Sequence, residues 1–365
     1  MKRKVYLLVA VVMALTLLLS PLGCAKEPVA PPEKPPVEKP PAEKPPEKPA
    51  EVYKIKLIYS YHPGDVRANL AEKFKELVEK KTDQIKIDTY PSSQLYPQKE
   101  EPHAVASGAV EMHSFASYAY MGVAPACSIG IIFGMWKSMD QWLPFWNDPN
   151  GGGIIKKQLN EAGIHALDAT CSSQIYIADT NARRPLPTIP SHDGLKFRCP
   201  PALEPWGRAL HTDPVSISIA EAFTAMQTGM VDGTHTGNIA IYSQNWWQVC
   251  PYTTRYGPLW VWSVDLFANL KWWDSLPDDM RNLLEECAQE AREWSDREDL
   301  ANMDAEATEF LQEKLAENYL LLDVVDPKEN QLWMDAVAEE FLKTYSPKWP
   351  AEFKAAAEKY SGFKI

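Results

Sequence analysis

The side chains that most often perform chemistry are spread along this chain without the spacing that catalysis or metal binding requires. The seven histidines are at least 10 residues apart, and neither HExxH nor GxSxG occurs. The five cysteines that follow Cys24 are at least 28 residues apart, so there is no CxxC pair. These spacings argue against a metallohydrolase, a zinc site and a thioredoxin-like motif. The odd cysteine count leaves disulfide pairing open among Cys127, Cys171, Cys199, Cys250 and Cys287.

Tryptophan and arginine offer binding chemistry instead. The 13 tryptophans suggest a protein that holds a ligand between flat apolar faces. Trp206 follows Arg198 by eight residues, and further tryptophans follow at 246, 247, 260 and 262. A guanidinium group can bind a carboxylate through two parallel hydrogen bonds, although on sequence alone a surface ion pair is the favoured role for Arg198. Core packing is the alternative for most of these rings.

Composition limits the class of protein. The chain has 365 residues, of which 45% are hydrophobic and 24% charged, as in soluble globular proteins of two or three domains. This excludes a polytopic membrane protein and a wholly disordered chain. The net charge of −12 repels phosphate backbones and argues against nucleic-acid binding. A secreted carbohydrate-active hydrolase with two catalytic carboxylates stays open, because acidic residues are too abundant to single out a pair.

The N-terminus has the pattern of an export signal. Lys2, Arg3 and Lys4 precede a short apolar run from Val5 to Leu19. Gly23–Cys24 resembles a bacterial lipoprotein cleavage site, although Pro21 stands where such sites usually have Leu. We therefore predict a lipoprotein-type signal peptide over 1–23, lipidation of Cys24, and a location in the periplasm or on the outer face of the cell membrane. The Pro/Glu/Lys-rich residues 24–52 predict an extended polyproline II tether.

The folded part begins with a βαβαβ order, which indicates a parallel sheet covered by helices. Alternation and helical spacing predict strands at 53–60, 85–90 and 109–115, and helices at 65–81 and 101–107. A second α/β unit follows, with strands at 173–179, 195–199 and 215–219, helices at 201–211 and 220–228, and a strand that starts at 230–233. A helical run from Pro277 to about 318 is long enough to cross two domains. A last strand at 320–325 and two helical segments end the chain.

Four stretches, in order and in register, resemble one family. They are Leu70–Leu95, Ala104–Met112 (AVASGAVEM), Gly194–Pro201 (GLKFRCPP) and Pro214–Asn238 (PVSISIAEAFTAMQTGMVDGTHTGN). Together they are similar to the DctP-type solute-binding proteins of tripartite ATP-independent periplasmic (TRAP) transporters. The resemblance runs from about residue 53 to the end of the chain.

The resemblance implies an α/β, two-lobed periplasmic-binding-protein-like fold with a long helix bridging both lobes. Lobe I would comprise 53–175 plus 265–305, and lobe II 176–264 plus 306–365. The protein would be no enzyme and would need no cofactor or metal. It would close on a small-molecule carboxylate and deliver it to the small and large subunits of a membrane permease. A sensory protein that presents its ligand to a receptor is the other non-enzymatic interpretation.

The resemblance also points to site residues. Arg198 lies in GLKFRCPP, where the family has its carboxylate-clamping arginine. The other candidates follow predicted strands or lie near the expected hinge, since ligands bind at the carboxyl ends of strands in α/β sheets. They are Tyr61, Ser117, Tyr118, Tyr120, Gln174, Tyr176, Trp206, Ile219, Thr236 and Asn238.

Departures from the family pattern narrow the ligand. Ala178 stands where some members have a second cationic clamp, and Ile219 where an aromatic residue is usual. His235 and Thr236 replace the Glu and the Asn of sialic-acid binders. Members that bind ligand through a metal have an acidic residue beside an aromatic one, which THTGN does not provide. A ligand with one acidic group and an apolar or aromatic body therefore fits better than sialic acid or a metal-bridged 2-oxo acid.

Overall fold

The computed structural model describes residues 52–167, 171–172, 177–257, 263–314, 320–323 and 326–365. Its strands are β1 Tyr53–Ile58, β2 Ile85–Tyr90, β3 Met112–Ala116, β4 Ile164–Ala166, β5 Cys171–Ser172, β6 Ile177–Asn181, β7 Lys196–Cys199, β8 Asp213–Ser216, β9 Gly233–Gly237, β10 Tyr252–Tyr256, β11 Ser263–Asn269 and β12 Leu320–Asp323.

The helices alternate with these strands and then dominate the last third of the chain. They are α1 Val66–Lys81, α2 Glu101–Ala106, α3 Met139–Trp146, α4 Gly152–Glu161, α5 Glu204–Ala209, α6 Ile219–Gln227, α7 Asn238–Ser243, α8 Leu270–Ser275, α9 Asp278–Trp294, α10 Leu300–Glu313, α11 Pro327–Tyr345 and α12 Ala351–Ser361.

The strands form two sheets, one in each lobe. In the first lobe the order is β2-β1-β3-β11-β4, and β5 also pairs with β11. Strands β1, β2 and β3 run parallel, as the βαβαβ pattern predicts, but β11 runs antiparallel to β3, so the complete sheet is mixed. In the second lobe the order is β12-β10-β6-β9-β7-β8, with β7 parallel to β8 and β9. The expected two-lobed α/β class is confirmed.

The predicted strand at 215–219 is shorter and lies earlier in the chain. It spans Asp213–Ser216, and Ile219 is the first residue of α6. Ser218 has extended backbone angles and its hydroxyl donates to Glu221 Oε2 at 2.5 Å. This local bond favours a helix start over a longer strand. The helix start at Ile219 matters for the site, because it directs the backbone N–H of Ile219 toward the other lobe.

One long helical element crosses the molecule. A π-helical turn over Ser295–Asp299 joins α9 to α10 without a break, so Asp278–Glu313 is a continuous element of 36 residues. Its first part packs on α1 in the first lobe and its second part on α7 in the second lobe. The expected bridging helix is therefore confirmed. In the part of the chain that is described, no helix combines the length and the apolar character that crossing a bilayer would need.

The core runs from one sheet into the other. Buried Leu57 and Phe74 of the first lobe and Ile177 and Trp206 of the second belong to one cluster of apolar side chains. A smaller cluster joins Val66 at the start of α1, Ile239 in α7 and Leu300 in α10. The last helix, α12, packs against α3, whereas α11 packs against α5.

Candidate functional site: a cavity between the lobes

A small cavity lies where the carboxyl ends of the strands of the two sheets face each other. Ligands of open α/β sheets bind at such strand ends. The first lobe contributes residues from the ends of β1 and β3, from the first turn of α1 and from the loop before α2, and the second lobe contributes the ends of β7 and β9 and parts of α5 and α6. The lining residues are Tyr61, Arg67, Gln98, Phe115, Tyr118, Arg198, Pro200, Trp206, Ile219, Thr236 and Gly237.

Arg198 brings an uncompensated positive charge into this cavity. It is the third residue of β7, held between β8 and β9, and only 2% of its surface is exposed. Its Nε donates to the carbonyl oxygen of Ile217 at 2.8 Å, which orients the guanidinium plane. Among the described residues, no carboxylate lies within ion-pair distance of it. Burial lowers its pKa to about 10, so the group is still charged at neutral pH.

Arg67 supplies a second guanidinium from the opposite lobe. Its Nε and Nη2 donate to the two carboxylate oxygens of Asp65, each at 2.6 Å. Its Cζ lies 4.1 Å from the centre of the Tyr61 ring, so the ring supports the guanidinium. Burial raises the pKa of the Asp65 carboxyl, but Arg67 outweighs this and the pKa is lowered. The Arg67–Asp65 pair is thus ionised and nearly neutral as a unit.

Aromatic rings form the walls. Tyr61 stacks on Phe115 with centroids 4.8 Å apart, and Tyr118 meets Phe115 edge-on at 5.7 Å. On the second lobe, Trp206 is fully buried and its indole Nε1 donates to the Tyr256 hydroxyl at 2.8 Å. Burial raises the pKa of the Tyr118 phenol to about 12, although Arg198 and Arg67 oppose the shift, so Tyr118 keeps its proton. The cavity therefore offers flat apolar faces with a few hydroxyls.

Two hydrogen bonds join the lobes at the rim of the cavity. The backbone N–H of Ile219 donates to Gln98 Oε1 at 2.9 Å, and the hydroxyl of Ser243 donates to Asp65 Oδ2 at 2.7 Å. Each bond links a cavity-lining segment of one lobe to a segment of the other. The structure is accordingly a closed form in which both walls would touch a bound ligand.

The structure brings together six of the sequence-predicted residues: Arg198, Tyr61, Tyr118, Trp206, Ile219 and Thr236 all line the cavity. Three others do not line it. Ser117 bonds to Ser263, Tyr120 to His113, and the Asn238 amide to Thr308. Gln174, Tyr176 and Cys24 lie outside the described residues, as do Trp260 and Trp262.

Sequence reasoning missed Arg67, Gln98, Phe115, Pro200 and Gly237. Arg67 looks like an ordinary residue on a helix surface, because nothing in the helical spacing shows that the first turn of α1 faces the other lobe. A signal was nevertheless present. Asp65, two residues earlier, both caps α1 and binds the Arg67 side chain. An acidic cap residue followed two residues later by an arginine, just after a strand end, indicates an arginine fixed near the ligand-binding edge of the sheet.

A buried polar cluster supports the second-lobe wall from behind. Asp179 in β6 accepts from His192 Nε2 at 3.0 Å and from His235 Nδ1 at 2.7 Å. The His235 ring stacks on Trp206 with centroids 5.2 Å apart. Burial lowers the pKa of His235, which keeps this imidazole neutral at pH 7. The cluster therefore fixes the plane of the tryptophan that faces the cavity.

No group of three or more His, Cys, Asp or Glu side chains able to hold a metal occurs within the described ranges. Cys127, Cys199, Cys250 and Cys287 are buried free thiols.

A model of one protein family covers most of the chain. The model of DctP, the bacterial extracellular solute-binding proteins of family 7, matches residues 59–348. Among curated proteins, the C4-dicarboxylate-binding periplasmic protein DctP of Rhodobacter capsulatus is 29% identical over 310 residues, which cover 79% of this chain and 90% of the relative.

Solved structures share the fold. A TRAP periplasmic solute-binding protein of Shewanella oneidensis with bound succinate has a TM-score of 0.74 and 22% identity, and the match covers 85% of this chain and 99% of the other. One from Roseobacter denitrificans with bound β-D-glucuronate has a TM-score of 0.72 and 20% identity, over 85% and 100% of the two chains.

Proposed function

The chain belongs to the DctP family of bacterial extracellular solute-binding proteins, and we propose that it captures a small organic carboxylate in the cavity between its lobes. It is a solute-binding protein of a TRAP transporter and not an enzyme. The expectation drawn from the four sequence stretches is therefore confirmed at the level of family and general function. The ligand's class, the residues that bind it and the anchoring of the chain are proposals.

The carboxylate proposal rests on one observation: Arg198 is buried and has no acidic partner among the described residues. A charge that is 98% buried is costly unless it is paired, and in the described part of the chain this one has a single hydrogen bond and no carboxylate. A carboxylate that enters the cavity would accept from the two terminal nitrogens and supply the missing charge. The binding of succinate and glucuronate by solved relatives supports this class of ligand.

The aromatic walls favour an apolar or aromatic body on the ligand. Tyr61, Phe115 and Trp206 present faces that flat or aliphatic groups can cover, whereas the neutral polar groups are few: Gln98, Thr236 and the Tyr118 hydroxyl. Ser117, Tyr120, Asn238, Gln174 and Tyr176 stay predicted contacts without support from this geometry.

We also propose how the chain is exported and anchored to the membrane. Residues 1–23 would direct export, Cys24 would carry the lipid anchor, and 24–52 would tether the folded part to the membrane. Lobe I would comprise 53–175 and 265–305, and lobe II 176–264 and 306–365. The strands of the two sheets support this division, except that β11 begins at Ser263 and α12 packs on α3. The closed form would deliver its ligand to the small and large permease subunits.

The direct test is a melting-shift screen of aromatic and aliphatic carboxylates, together with mass spectrometry of small molecules that copurify. A ligand at about 100 times its Kd stabilises the folded protein by about 2.7 kcal/mol. Arg198→Gln should abolish the shift. The control is Arg281→Gln, which removes a partly exposed arginine paired with Asp278 outside the cavity. A shift that persists in Arg198→Gln would refute the clamp, and turnover of a bound acid would favour the hydrolase alternative.

A further inference from the structure

We propose that Arg67 is a second anion contact facing Arg198 and that Asp65, by neutralising it, restricts the ligand to a single negative charge. The inference rests on the proposed function and narrows it. The protein would select compact monocarboxylates that carry a neutral hydrogen-bonding group over dicarboxylates of the same size.

The two guanidinium groups come from opposite lobes. Arg67 lies in the first turn of α1, beside the first-lobe sheet, and Arg198 lies in β7 of the second-lobe sheet. Both line the same cavity. At first sight this is a clamp for a dicarboxylate, with one arginine for each end of the ligand.

The charges of the neighbouring groups contradict that interpretation. Asp65 is fully buried and takes both the Nε and the Nη2 of Arg67 in a bidentate pair. Only Nη1 of Arg67 has no partner among the described residues, so this side chain offers one donor nitrogen and no spare charge. Arg198 offers both terminal nitrogens, and no acidic side chain of the described part balances its charge.

A second carboxylate in the cavity would find no counter-charge among the described residues. Apart from the two arginines, the described lining residues are neutral, and Phe115, Trp206 and Ile219 make part of the lining apolar. Leaving an ionised carboxylate buried without a partner is strongly unfavourable. A neutral oxo, hydroxyl or amide oxygen placed at Nη1 of Arg67 avoids that cost and completes its hydrogen bonds.

The same arrangement makes closure depend on the anion. When the lobes close on an empty cavity, Arg198 is buried without a counter-charge among the described residues. Burial is the main cause of its low pKa, and the nearby Arg67 guanidinium lowers this pKa further. An anion bound to both guanidinium groups supplies the counter-charge and bridges the lobes, so it stabilises the closed form more than the open one.

The test compares acids that differ in one charge and little else. Calorimetry would measure the binding of succinate against its monoamide succinamate, and of phthalate against its monoamide. We expect each monoamide to bind the wild-type protein at least tenfold more tightly than its diacid. Asp65→Asn should leave Arg67 with a free charge and shift the preference toward the diacids by at least tenfold. Arg67→Gln should weaken the monoamides about tenfold without improving the diacids.

Controls separate this inference from the proposed function. Arg183→Gln removes an exposed arginine whose Nε bonds Asp232 away from the cavity, and it should change neither affinity nor preference. Diacids that bind the wild-type protein more tightly than their monoamides, with binding lost in Arg198→Gln, would overturn the inference and leave the proposed function intact. No binding by the four probes or by any acid in the melting screen would overturn both. If Asp65→Asn does not fold, the wild-type preference and Arg67→Gln decide the question.

Discussion

Two buried charges in the sheet of the second lobe, Asp179 in β6 and Arg198 in β7, lie in opposite circumstances. Asp179 is fully buried and has three donors, from His192, His235 and the Tyr256 hydroxyl. Arg198 is almost as buried and has, among the described residues, one hydrogen bond, to the backbone carbonyl of Ile217. A buried charge with all its partners holds a fold together, whereas a buried charge that lacks a partner marks the place where a ligand completes the structure.

The pKa values express the same contrast. Burial raises the pKa of Asp179, but the two histidines outweigh it and the pKa of the carboxyl is lowered. Burial lowers the pKa of Arg198 to about 10, and no acidic side chain of the described residues pairs with it. Folding thus provides partners for the charge of Asp179, whereas under our proposal the ligand provides the partner for Arg198.

Removing the compensated charge should have the largest effect on stability. Asp179→Asn places an amide between two imidazoles and should lower the free energy of unfolding by about 3 kcal/mol, as expected when a buried charged cluster loses a partner. Urea unfolding at pH 7 measures the loss. Ligand affinity of the folded protein at low temperature should fall less than tenfold, because Asp179 acts on the ligand only through His235 and Trp206. A variant as stable as the wild type would contradict the structural role of this cluster.

Removing the charge of Arg198, in contrast, should weaken ligand binding without lowering the stability of the ligand-free protein. Arg198→Met fills similar space without a charge, so we expect ligand affinity to fall at least 100-fold, about 2.7 kcal/mol. The ligand-free protein should be no less stable than the wild type, because a desolvated and unpaired cation is lost. Calorimetry and urea unfolding on the same sample check both parts. A loss of several kcal/mol in the free energy of unfolding, with ligand binding retained, would show that Arg198 has a structural role and does not bind the ligand.

The bonds between the lobes should have a smaller effect. Ser243→Ala removes the hydroxyl that bonds Asp65 across the cavity rim. A hydrogen bond of this kind contributes about 1 kcal/mol, so we expect ligand affinity to weaken about fivefold through the closed form. The control is Ser275→Ala in α8, whose hydroxyl donates to the carbonyl of Trp272 within the same helix. Equal affinities in the two variants would show that this contact does not bias closure.

The sequence predicted strands and helices best where local signals agree. The strand Ile85–Tyr90 is confirmed to the residue, because alternating apolar side chains end at a proline turn. The antiparallel strand β11, Ser263–Asn269, was missed. Each of its residues is buried, so it shows no alternation, and only its pairing with β3 and β4 reveals it.

The site residues likewise fall into those that local sequence signals could predict and those that only tertiary packing reveals. Arg198 could be proposed because its neighbours form a motif that resembles a family. Arg67 and Gln98 could not, since their role depends on the approach of the other lobe: Gln98 accepts from the N–H of Ile219, 121 residues away in the chain. Ser117 and Tyr120 follow the correct strand but turn to internal partners. Strand ends locate a cavity, but tertiary packing decides which side chains enter it.

The smallest expected effect concerns a carboxyl that is only partly compensated. Asp299, in the π-helical turn of the bridging helix, accepts from Asn69 of α1, and burial together with Asp65 raises its pKa to about 6. The folded state therefore holds this proton more tightly than the unfolded chain, whose aspartates titrate near pH 4. The contribution of Asp299 to stability is then fully present below about pH 4 and falls as the pH rises through 6. Asp299→Asn should remove this dependence, so the variant should gain stability over the wild type at pH 7.5 but not at pH 4. Urea unfolding of both proteins at the two pH values measures the difference in the free energy of unfolding. An equal difference at both pH values would show that folding does not raise the pKa of Asp299.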